Sequence, residues 1–347
     1  MTAAIKVVVA GMHTTLQDLG RFGHQALGVP VAGALDPVSL RLVNAVLGNS
    51  QQTAALEFLY NGPTLEVVAT AVRVAAAGAD IEITGDRPRT VPAWHSVRLV
   101  RGEVFRPGSL RNSSCGYLSV AGGFALTSEL GSQSTYTRSH IGGFEGRALH
   151  AGDRLPLVLD AAEERQEVCL SHPPDVTPPG QVRIVLGPQH EFFTKDAIRA
   201  LVTETFTVSR DADRMGLRLD GPRLAHKDGY NIVSDGIVTG AIQIPGSGQP
   251  IVLLADHQTT GGYPKIGTVI GSDLPSVGRL RPGDPVRFRE VTVEQAEAHA
   301  RDFEDDINRC AADLSPPVAA AGLDETALFG GNLISGVVNA VDEPGPG

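Results

Sequence analysis

The chain has 347 residues and a formal charge of −10, from 39 acidic against 29 basic side chains. That length allows two domains of common size, each with its own core. The acidic excess argues against a nucleic-acid binder, because neutralising phosphates requires a concentrated basic face. We therefore expect the ligand or partner to be a small molecule or another protein.

The cysteines and the N-terminal residues indicate the compartment. Cys115, Cys169 and Cys310 are odd in number and form no CxxC pair, so the sequence predicts neither a disulfide framework nor a thiolate zinc site. The N-terminal apolar run is too short for a signal peptide, and no stretch approaches about 20 consecutive apolar residues. We predict a cytoplasmic protein without a membrane segment.

Most segments of the chain have the pattern of short strands, separated by many of its 40 glycines and 23 prolines. Strand candidates in the first half are 5–10, 65–69, 72–77, 81–85, 96–102, 115–122 and 154–159. Those in the second half are 181–187, 205–209, 216–221, 241–246, 250–256, 267–271 and 285–291. We expect a mainly β fold with a few helices, built from barrels or sandwiches.

Three helices are predicted. The first follows Asp36, a suitable N-cap, begins at Pro37 and stops at Gly48. A second falls within 191–204, and a third within 292–314 has one apolar face that should pack on a barrel end.

The segment 171–180 is the best linker candidate, because four of its ten residues are proline. We predict an N-terminal β domain at 1–170, this linker, a β-barrel domain at 181–315 and a tail at 316–347.

Two stretches resemble each other across the predicted boundary. Residues 146–157 and 278–288 share a Gly-Arg pair, a leucine and a Gly-Asp turn that leads into a strand. Similar polar clusters surround Gln133 and Gln258 upstream. The pattern indicates two related β domains, with chance similarity in a glycine-rich chain as the alternative.

Several common catalytic motifs do not occur. The sequence has no GxxxxGKS/T phosphate loop, no GxGxxG after a strand, no HExxH and no GxSxG. The ten histidines lack metal-ligand spacing, so we predict no metal site. None of the methionines has the lysine neighbours of a biotin-carrying segment, so any biotin would come on another chain.

The segment 253–273 places many different polar groups between two apolar runs. Asp256 is predicted at the end of a strand, and the turn after it should direct Gln258, Thr259 and Thr260 toward one point. Such a cluster could bind a carbonyl or a carboxylate oxygen. The alternative is that these side chains satisfy only the backbone of the turn.

The second part of this segment adds a phenol and a cation. Gly261 and Gly262 are able to take positive φ, Tyr263 offers a hydroxyl, and Lys265 could stabilise an oxyanion or hold a carboxylate. The alternative is a lysine that lies in solvent. We predict Gln258, Thr259, Thr260, Tyr263 and Lys265 as the catalytic residues.

Neighbouring segments supply candidates for substrate binding. Gln243 lies on the preceding strand and would face the same pocket if the two strands are neighbours. Asp213 and Arg214 belong to a charged stretch at 209–222, where arginine suits carboxylate recognition and a solvated charge run is the alternative. With Asp256, these form the predicted substrate-binding set.

The glycine-punctuated segment 14–37 is more polar than a simple connection requires. Its residues Gln17, Asp18, Arg21 and Asp36 are predicted to line a groove or a contact with another protein chain. For Asp36, helix capping is the alternative.

The sequence as a whole resembles the biotin-dependent carboxyltransferase family, whose members are also called allophanate hydrolase subunit 2, urea amidolyase-related protein or the C subunit of 5-oxoprolinase. The resemblance covers about residues 5–290, and HQTTGGYPKIG at 257–267 is its most specific motif. The other matching stretches are 14–49, 56–67, 118–124, 130–136, 142–153, 213–219, 240–256 and 280–284.

The resemblance implies cyclophilin-like β-barrel domains and a partner, the allophanate hydrolase subunit 1 protein or the B subunit of 5-oxoprolinase, with an A subunit as a further candidate. The favoured function is the C subunit of an ATP-dependent 5-oxoprolinase, an amide hydrolase with ATP as co-substrate. The first alternative is the carboxyltransferase component of a biotin-dependent urea carboxylase or allophanate hydrolase system. The second is a non-catalytic regulatory binding module.

Overall fold

A computed structural model describes residues 3–85 and 87–317 of the chain, so the predicted tail lies outside the described residues from 318 onward. The α-helices are α1 Pro37–Leu47, α2 Lys195–Thr203, α3 Leu274–Gly278 and α4 Val293–Ala312, with 3₁₀ turns at Gln25–Leu27, His190–Phe192 and Gly271–Asp273. In residues 3–85 and 87–317, no helix combines the length and apolar character needed to cross a bilayer.

Strands form most of the regular structure, which confirms the mainly β fold. Those of the first half are β1 Ala4–Val9, β2 Thr14–Gln17, β3 Ala55–Leu59, β4 Thr64–Val67, β5 Ala71–Ala77, β6 Ile81–Thr84, β7 Arg89–Val91, β8 Ser96–Val100, β9 Val104–Pro107, β10 Cys115–Val120, β11 Arg154–Pro156 and β12 Cys169–Leu170. Those of the second half are β13 Val182–Leu186, β14 Phe206–Val208, β15 Gly216–Asp220, β16 Asp235–Gly236, β17 Ala241–Gln243, β18 Ile251–Leu253, β19 Thr260–Gly261, β20 Lys265–Val269, β21 Pro285–Val286, β22 Phe288–Glu290 and β23 Leu314–Ser315.

Two sheets build the first half. One has the order β11-β1-β4-β9-β6-β7 and the other the order β2-β3-β10-β5-β8. Apolar residues from both sheets, among them Ile5, Phe58 and Phe105, meet in one core. The five-stranded sheet is also covered on its other face by α1, so β5 is buried at every position. This double burial explains why β5 is apolar except for Arg73, whose buried guanidinium pairs with Glu167.

An eight-stranded sheet with the order β21-β14-β15-β18-β17-β20-β13-β22 dominates the second half. Its two edge strands, β21 and β22, are separated in sequence by Arg287 alone, so the sheet nearly closes into a barrel. Phe206 and Phe288 contact each other in the interior, with ring centroids 5.9 Å apart. The core of this barrel continues into the residues around α1.

The first predicted helix is confirmed at both ends. The Asp36 side chain accepts hydrogen bonds from the backbone N–H groups of Val38 and Ser39, and Gly48 ends α1 with φ 73°. The second helix begins only after the N-cap Thr194, because the residues before it form a separate 3₁₀ turn. The third helix is α4, which contacts α1 and the 271–273 turn.

The two similar stretches, residues 146–157 and 278–288, also resemble each other in structure. Gly152–Asp153 and Gly283–Asp284 form matching turns, with glycine φ values of 97° and 93°. In the first turn, the glycine N–H and the aspartate carbonyl bond to Val7, and in the second the same groups bond to Val208. This match supports two related β units. The division of the chain at 171–180 stays a prediction.

Candidate active site

The site begins with a row of side chains across four neighbouring strands. In the ladder, Arg218 of β15 pairs with Ile251 of β18, Ile251 pairs with Gln243 of β17, and Gln243 pairs with Lys265 of β20. Directly paired residues point to the same face of a sheet. A bulge between Ile242 and Gln243 lies within this row, and bulges commonly redirect side chains near binding sites. The strand of Gln243 thus neighbours the 253–273 segment, which was the condition for Gln243 to face the same pocket, and its role in substrate binding stays a prediction.

Neither Gly261 nor Gly262 uses the positive φ that glycine permits. Close approach explains the first glycine instead. A Cβ at Gly261 would lie 2.6 Å from Gln243 Nε2 and 2.6 Å from Ile237 Cδ1. Thr260 and Gly261 form β19, which pairs with β16. Gly261 therefore lets the 253–273 segment lie directly against the row of side chains.

A cavity of about 200 Å³ lies over this row. It is lined by Arg138, Asp213, Met215, Gly216, Arg218, Gln243, Ile251, Leu253, Gln258 and Tyr263. Gln258 Nε2 donates to Gln243 Oε1 over 3.4 Å, and Gln243 Nε2 is buried without a hydrogen-bond partner among the described residues. A buried donor without a partner is unfavourable, so a ligand oxygen in the cavity would relieve it.

His257 positions Gln258. Its Nδ1 donates to the Gln258 carbonyl over 2.6 Å, and its Nε2 accepts from the Thr239 hydroxyl over 3.2 Å. Burial lowers the pKa of the imidazole, which favours this neutral form. His257 was not among the predicted site residues, because the histidines lack metal-ligand spacing, although this one lies inside the HQTTGG motif.

Lys265 is held beside the cavity by a polar cluster. Its side chain is 7% exposed, and its Nζ lies 2.9 Å from Asp235 Oδ2. The lysine and, to a smaller extent, Gln189 hold the pKa of the half-exposed Asp235 below its ordinary value. The alternative of a lysine in solvent is therefore wrong. Lys265 lies on the same sheet face as Gln243 but does not itself line the cavity.

The other predicted catalytic residues separate into two groups. Gln258 and Tyr263 line the cavity, and Tyr263 is 39% exposed. Thr259 bonds through its carbonyl to the Ile237 N–H over 3.1 Å, and Thr260 is exposed on β19. The structure thus brings Gln243, Gln258 and Tyr263 together and places the two threonines outside the cavity lining.

Arg214 and Asp256 form a buried ionic cluster with a residue from the first half. Both Nε and Nη2 of Arg214 lie 2.9 Å from the Asp256 carboxylate, and Nη1 contacts Glu57. Nη2 also donates to the Gly33 carbonyl over 2.6 Å, and the Tyr117 hydroxyl donates to Glu57 over 2.5 Å.

This cluster joins the two halves. Burial alone would lower the pKa of Arg214, but Asp256 and Glu57 raise it above its ordinary value, so the guanidinium stays charged. Every Arg214 nitrogen has a partner inside the chain, and Arg214 does not line the cavity. Asp213 does line it, while its carboxylate accepts from the backbone N–H groups of Met215 and Gly216.

Comparison with known proteins places the chain in a family. The family model for the carboxyltransferase domain, subdomain A and B, matches residues 27–290. The chain belongs to this carboxyltransferase family. It is 35% identical over 294 residues to the C subunit of 5-oxoprolinase from Haemophilus influenzae, and the match covers 84% of this chain and 93% of that protein. The Escherichia coli protein of the same name is 33% identical over 292 residues, with the same coverage of 84% and 93%.

A solved structure shares the fold of this carboxyltransferase-family chain. The crystal structure of K. lactis urea amidolyase matches with a TM-score of 0.80 and 26% identity. The match covers 89% of this chain and 20% of that one, so the chain spans about a fifth of that much longer protein. The mainly β barrel architecture is thus common to both.

The predicted groove residues of the carboxyltransferase-family chain lie elsewhere. Gln17, Arg21 and Asp36 are buried, and Asp18 lines a surface cavity of about 690 Å³. Gln17 donates to the Thr135 carbonyl over 3.2 Å, and Asp36 caps α1. Their role in partner binding stays a prediction. In the part of the chain that the structure describes, no three His, Cys, Asp or Glu side chains cluster as metal ligands.

Proposed function

We propose that this chain is the C subunit of an ATP-dependent 5-oxoprolinase, which converts 5-oxoproline, ATP and water into glutamate, ADP and phosphate. Family membership and two relatives named as C subunits of 5-oxoprolinase support the proposal. The observation that carries it is the buried, unpaired amide nitrogen of Gln243 beside Gln258 in a small cavity.

The chemistry explains why such a donor is useful. The ring amide of 5-oxoproline resists hydrolysis, and its carbonyl oxygen gains negative charge when the carbon is attacked. A fixed donor in a water-poor site stabilises that charge with little reorganisation. Gln243 is only 2% exposed and can donate to the oxygen, while His257 fixes the position of Gln258.

Lys265 is proposed as the cation that assists this step. It is the cross-strand neighbour of Gln243, and its present partner Asp235 is half-exposed. An anionic group that forms near Gln243 would compete with Asp235 for the ammonium. Tyr263 at the cavity, and Thr259 and Thr260 in the adjoining turn, complete the proposed catalytic set, and Asp213 belongs to the substrate-binding set.

The cavity does not fit ATP. Pockets for drug-sized ligands have volumes of about 300–1,000 Å³, whereas this cavity has about 200 Å³. A small lactam suits that space and a nucleoside triphosphate does not. We therefore derive no step at this site through ATP, and we propose that ATP binds elsewhere in a cytoplasmic complex with the A and B subunits.

Co-purification of the chain with candidate A and B subunits provides the test. We expect ATP hydrolysis that depends on 5-oxoproline, with glutamate released in step with ADP. The control is the same complex with Gln243→Leu, which should assemble normally and lose the coupled activity. An intact, folded complex that releases neither product would overturn the proposal.

The second candidate is a carboxyltransferase that accepts a carboxyl group from biotin for urea or a related amide. The match to K. lactis urea amidolyase favours it. Because this chain lacks a biotin-carrying segment, the biotin would arrive on another chain. Binding of a biotinylated carrier and biotin-dependent carboxylation of urea, without glutamate release, would select this function.

A non-catalytic regulatory module is the third candidate. For this candidate, substitutions in the cavity should leave every catalytic activity of the complex unchanged, while the complex still assembles. The Gln243→Leu complex tests this candidate with the same measurements.

A further inference from the structure

Two arginines that have no role in the proposed reaction line the cavity. Arg218 stands on β15 at one end of the row of paired side chains, and Arg138 enters from a loop of the first half. Both are exposed and both line the cavity. They therefore concentrate positive charge at one place in a chain whose formal charge is −10.

Arg138 and Arg218 differ from several other arginines of the chain because they take part in no ion pair among the described residues. Within residues 3–85 and 87–317, ion pairs engage other arginines, such as Arg147 with Asp153 and Arg183 with Asp273, and include neither Arg138 nor Arg218. The carboxylate nearest in the lining, Asp213, instead accepts from the backbone of its own turn. Both guanidinium groups are thus free to bind an anion.

Arg218 and the amide donor Gln243 lie on different strands of the sheet. Gln243 lies two strands from Arg218, with Ile251 between them, which corresponds to about 10 Å between backbones. Long arginine side chains can shorten that gap. Leu253 and Met215 join Ile251 as apolar residues of the lining. The lining thus combines a neutral amide donor, apolar side chains and two cationic side chains.

We propose that the two arginines form a carboxylate subsite of the cavity, in which Arg138 and Arg218 bind the carboxylate of the substrate while Gln243 donates to its amide oxygen. Guanidinium groups recognise carboxylates through paired hydrogen bonds. The substrate class is an amide that bears a carboxylate. The choice of 5-oxoproline within that class rests on the proposed function. Because the two arginines come from different halves, specificity depends on how the halves pack.

Equilibrium binding to the full chain in complex with its partner proteins tests the subsite. The probes are 5-oxoproline and 2-pyrrolidinone, the same lactam ring without the carboxylate. We expect 5-oxoproline to bind at least about 10-fold more tightly, because charge-assisted hydrogen bonds contribute about 1.5–3 kcal/mol. Arg218→Met should remove most of this preference and leave 2-pyrrolidinone binding unchanged. Arg218→Lys should restore part of it.

The matched control is Arg210→Met, an exposed arginine of the same charged stretch that does not line the cavity. It should leave both affinities unchanged. Equal binding of the two lactams by the unaltered complex, no binding of either, or an equal loss for both in Arg218→Met and Arg138→Met would overturn the subsite. A complex that prefers 5-oxoproline but releases no glutamate would refute the oxoprolinase proposal and support the subsite.

Discussion

The inner and outer faces of β15, β18, β17 and β20 have opposite roles, although the residues that form them alternate along the same strands. Leu217, Val252, Ile242 and Ile266 point inward and belong to the shared core. Their neighbours in sequence, Arg218, Ile251, Gln243 and Lys265, form the row beside the cavity. A strand with period two can thus stabilise the fold with one face and bind ligands with the other.

The two faces differ in how completely their groups are paired. The inner face is apolar and closely packed, and the buried Arg214 cluster next to it has a partner for every guanidinium nitrogen. The outer face keeps a Gln243 nitrogen that has no partner among the described residues, and its Arg218 lies outside the described ion pairs. We infer that the fully paired Arg214 cluster stabilises the fold, whereas the unpaired Gln243 nitrogen beside the cavity is available to a ligand.

The largest expected effect comes from breaking the buried cluster. Arg214→Met should lower the free energy of unfolding by about 3–5 kcal/mol, because Asp256 and Glu57 would remain buried without their cation. Urea unfolding measures the change. Arg199→Met is the control, since Arg199 and Asp196 form an exposed pair, and it should change stability by less than about 1 kcal/mol. A loss as small as the control's would contradict a structural role for Arg214.

A substitution on the inner face should also lower the free energy of unfolding measured with urea. Ile242→Ala removes a fully buried side chain and should lower the free energy of unfolding by about 2–5 kcal/mol. Turnover per folded molecule should stay close to that of the unaltered protein. A selective loss of turnover at full stability would show that the inner face shapes the site directly.

Gln243, the residue next to Ile242, should affect turnover rather than stability when it is replaced. Gln243→Leu should reduce turnover of the complex by about 10²–10³-fold, the effect of removing one oxyanion donor. Stability should hold or rise slightly, because the substitution removes a buried unpaired group. Gln249→Leu, outside the cavity lining, is the control. Unchanged turnover in Gln243→Leu would exclude this donor from the reaction.

Lys265 gives a smaller and more specific test. Lys265→Ala should reduce turnover by about 10²-fold if the ammonium stabilises the transition state. The same change should raise the pKa of Asp235 toward its ordinary value, since Lys265 is the main cause of its lowered pKa. Turnover rates and NMR titration of the carboxylate measure the two effects. A raised pKa with unchanged turnover would limit Lys265 to a structural role.

The smallest effect concerns acid stability. Burial holds the pKa of His257 in the folded chain below its ordinary value of 6.5. Between that lowered pKa and pH 6.5, the unfolded chain therefore binds more protons than the folded chain. The His257 contribution to stability is therefore complete above pH 6.5 and is lost as the pH falls through the lowered folded pKa. Unfolding curves at a series of pH values should show a weaker acid dependence for His257→Gln. An identical pH dependence of stability in the unaltered protein and in His257→Gln would refute the lowered pKa of His257.

Features that depend on neighbours in sequence could be predicted. The caps of α1 at Asp36 and Gly48 were predictable because capping involves residues within one turn. Gln243 could be connected with the 253–273 segment because one short hairpin separates their strands. The reason for Gly261 could not be predicted, since the contact that excludes a side chain there comes from Gln243 and Ile237, outside the turn itself.

The sequence by itself determined the mainly β character, because local periodicity and turn residues encode it. The motif that carries Gln258, Tyr263 and Lys265 is read directly from the sequence, and the family followed from the resemblance of such motifs to known members. Only the tertiary structure decided which polar groups are already paired. Glu57 meets Arg214 although the two lie 157 positions apart in sequence, and Arg138 reaches the cavity from the other half of the chain. Such pairings depend on how the two halves pack, and a hydrogen-bond donor acquires a structural or a functional role only through the partner that packing gives it.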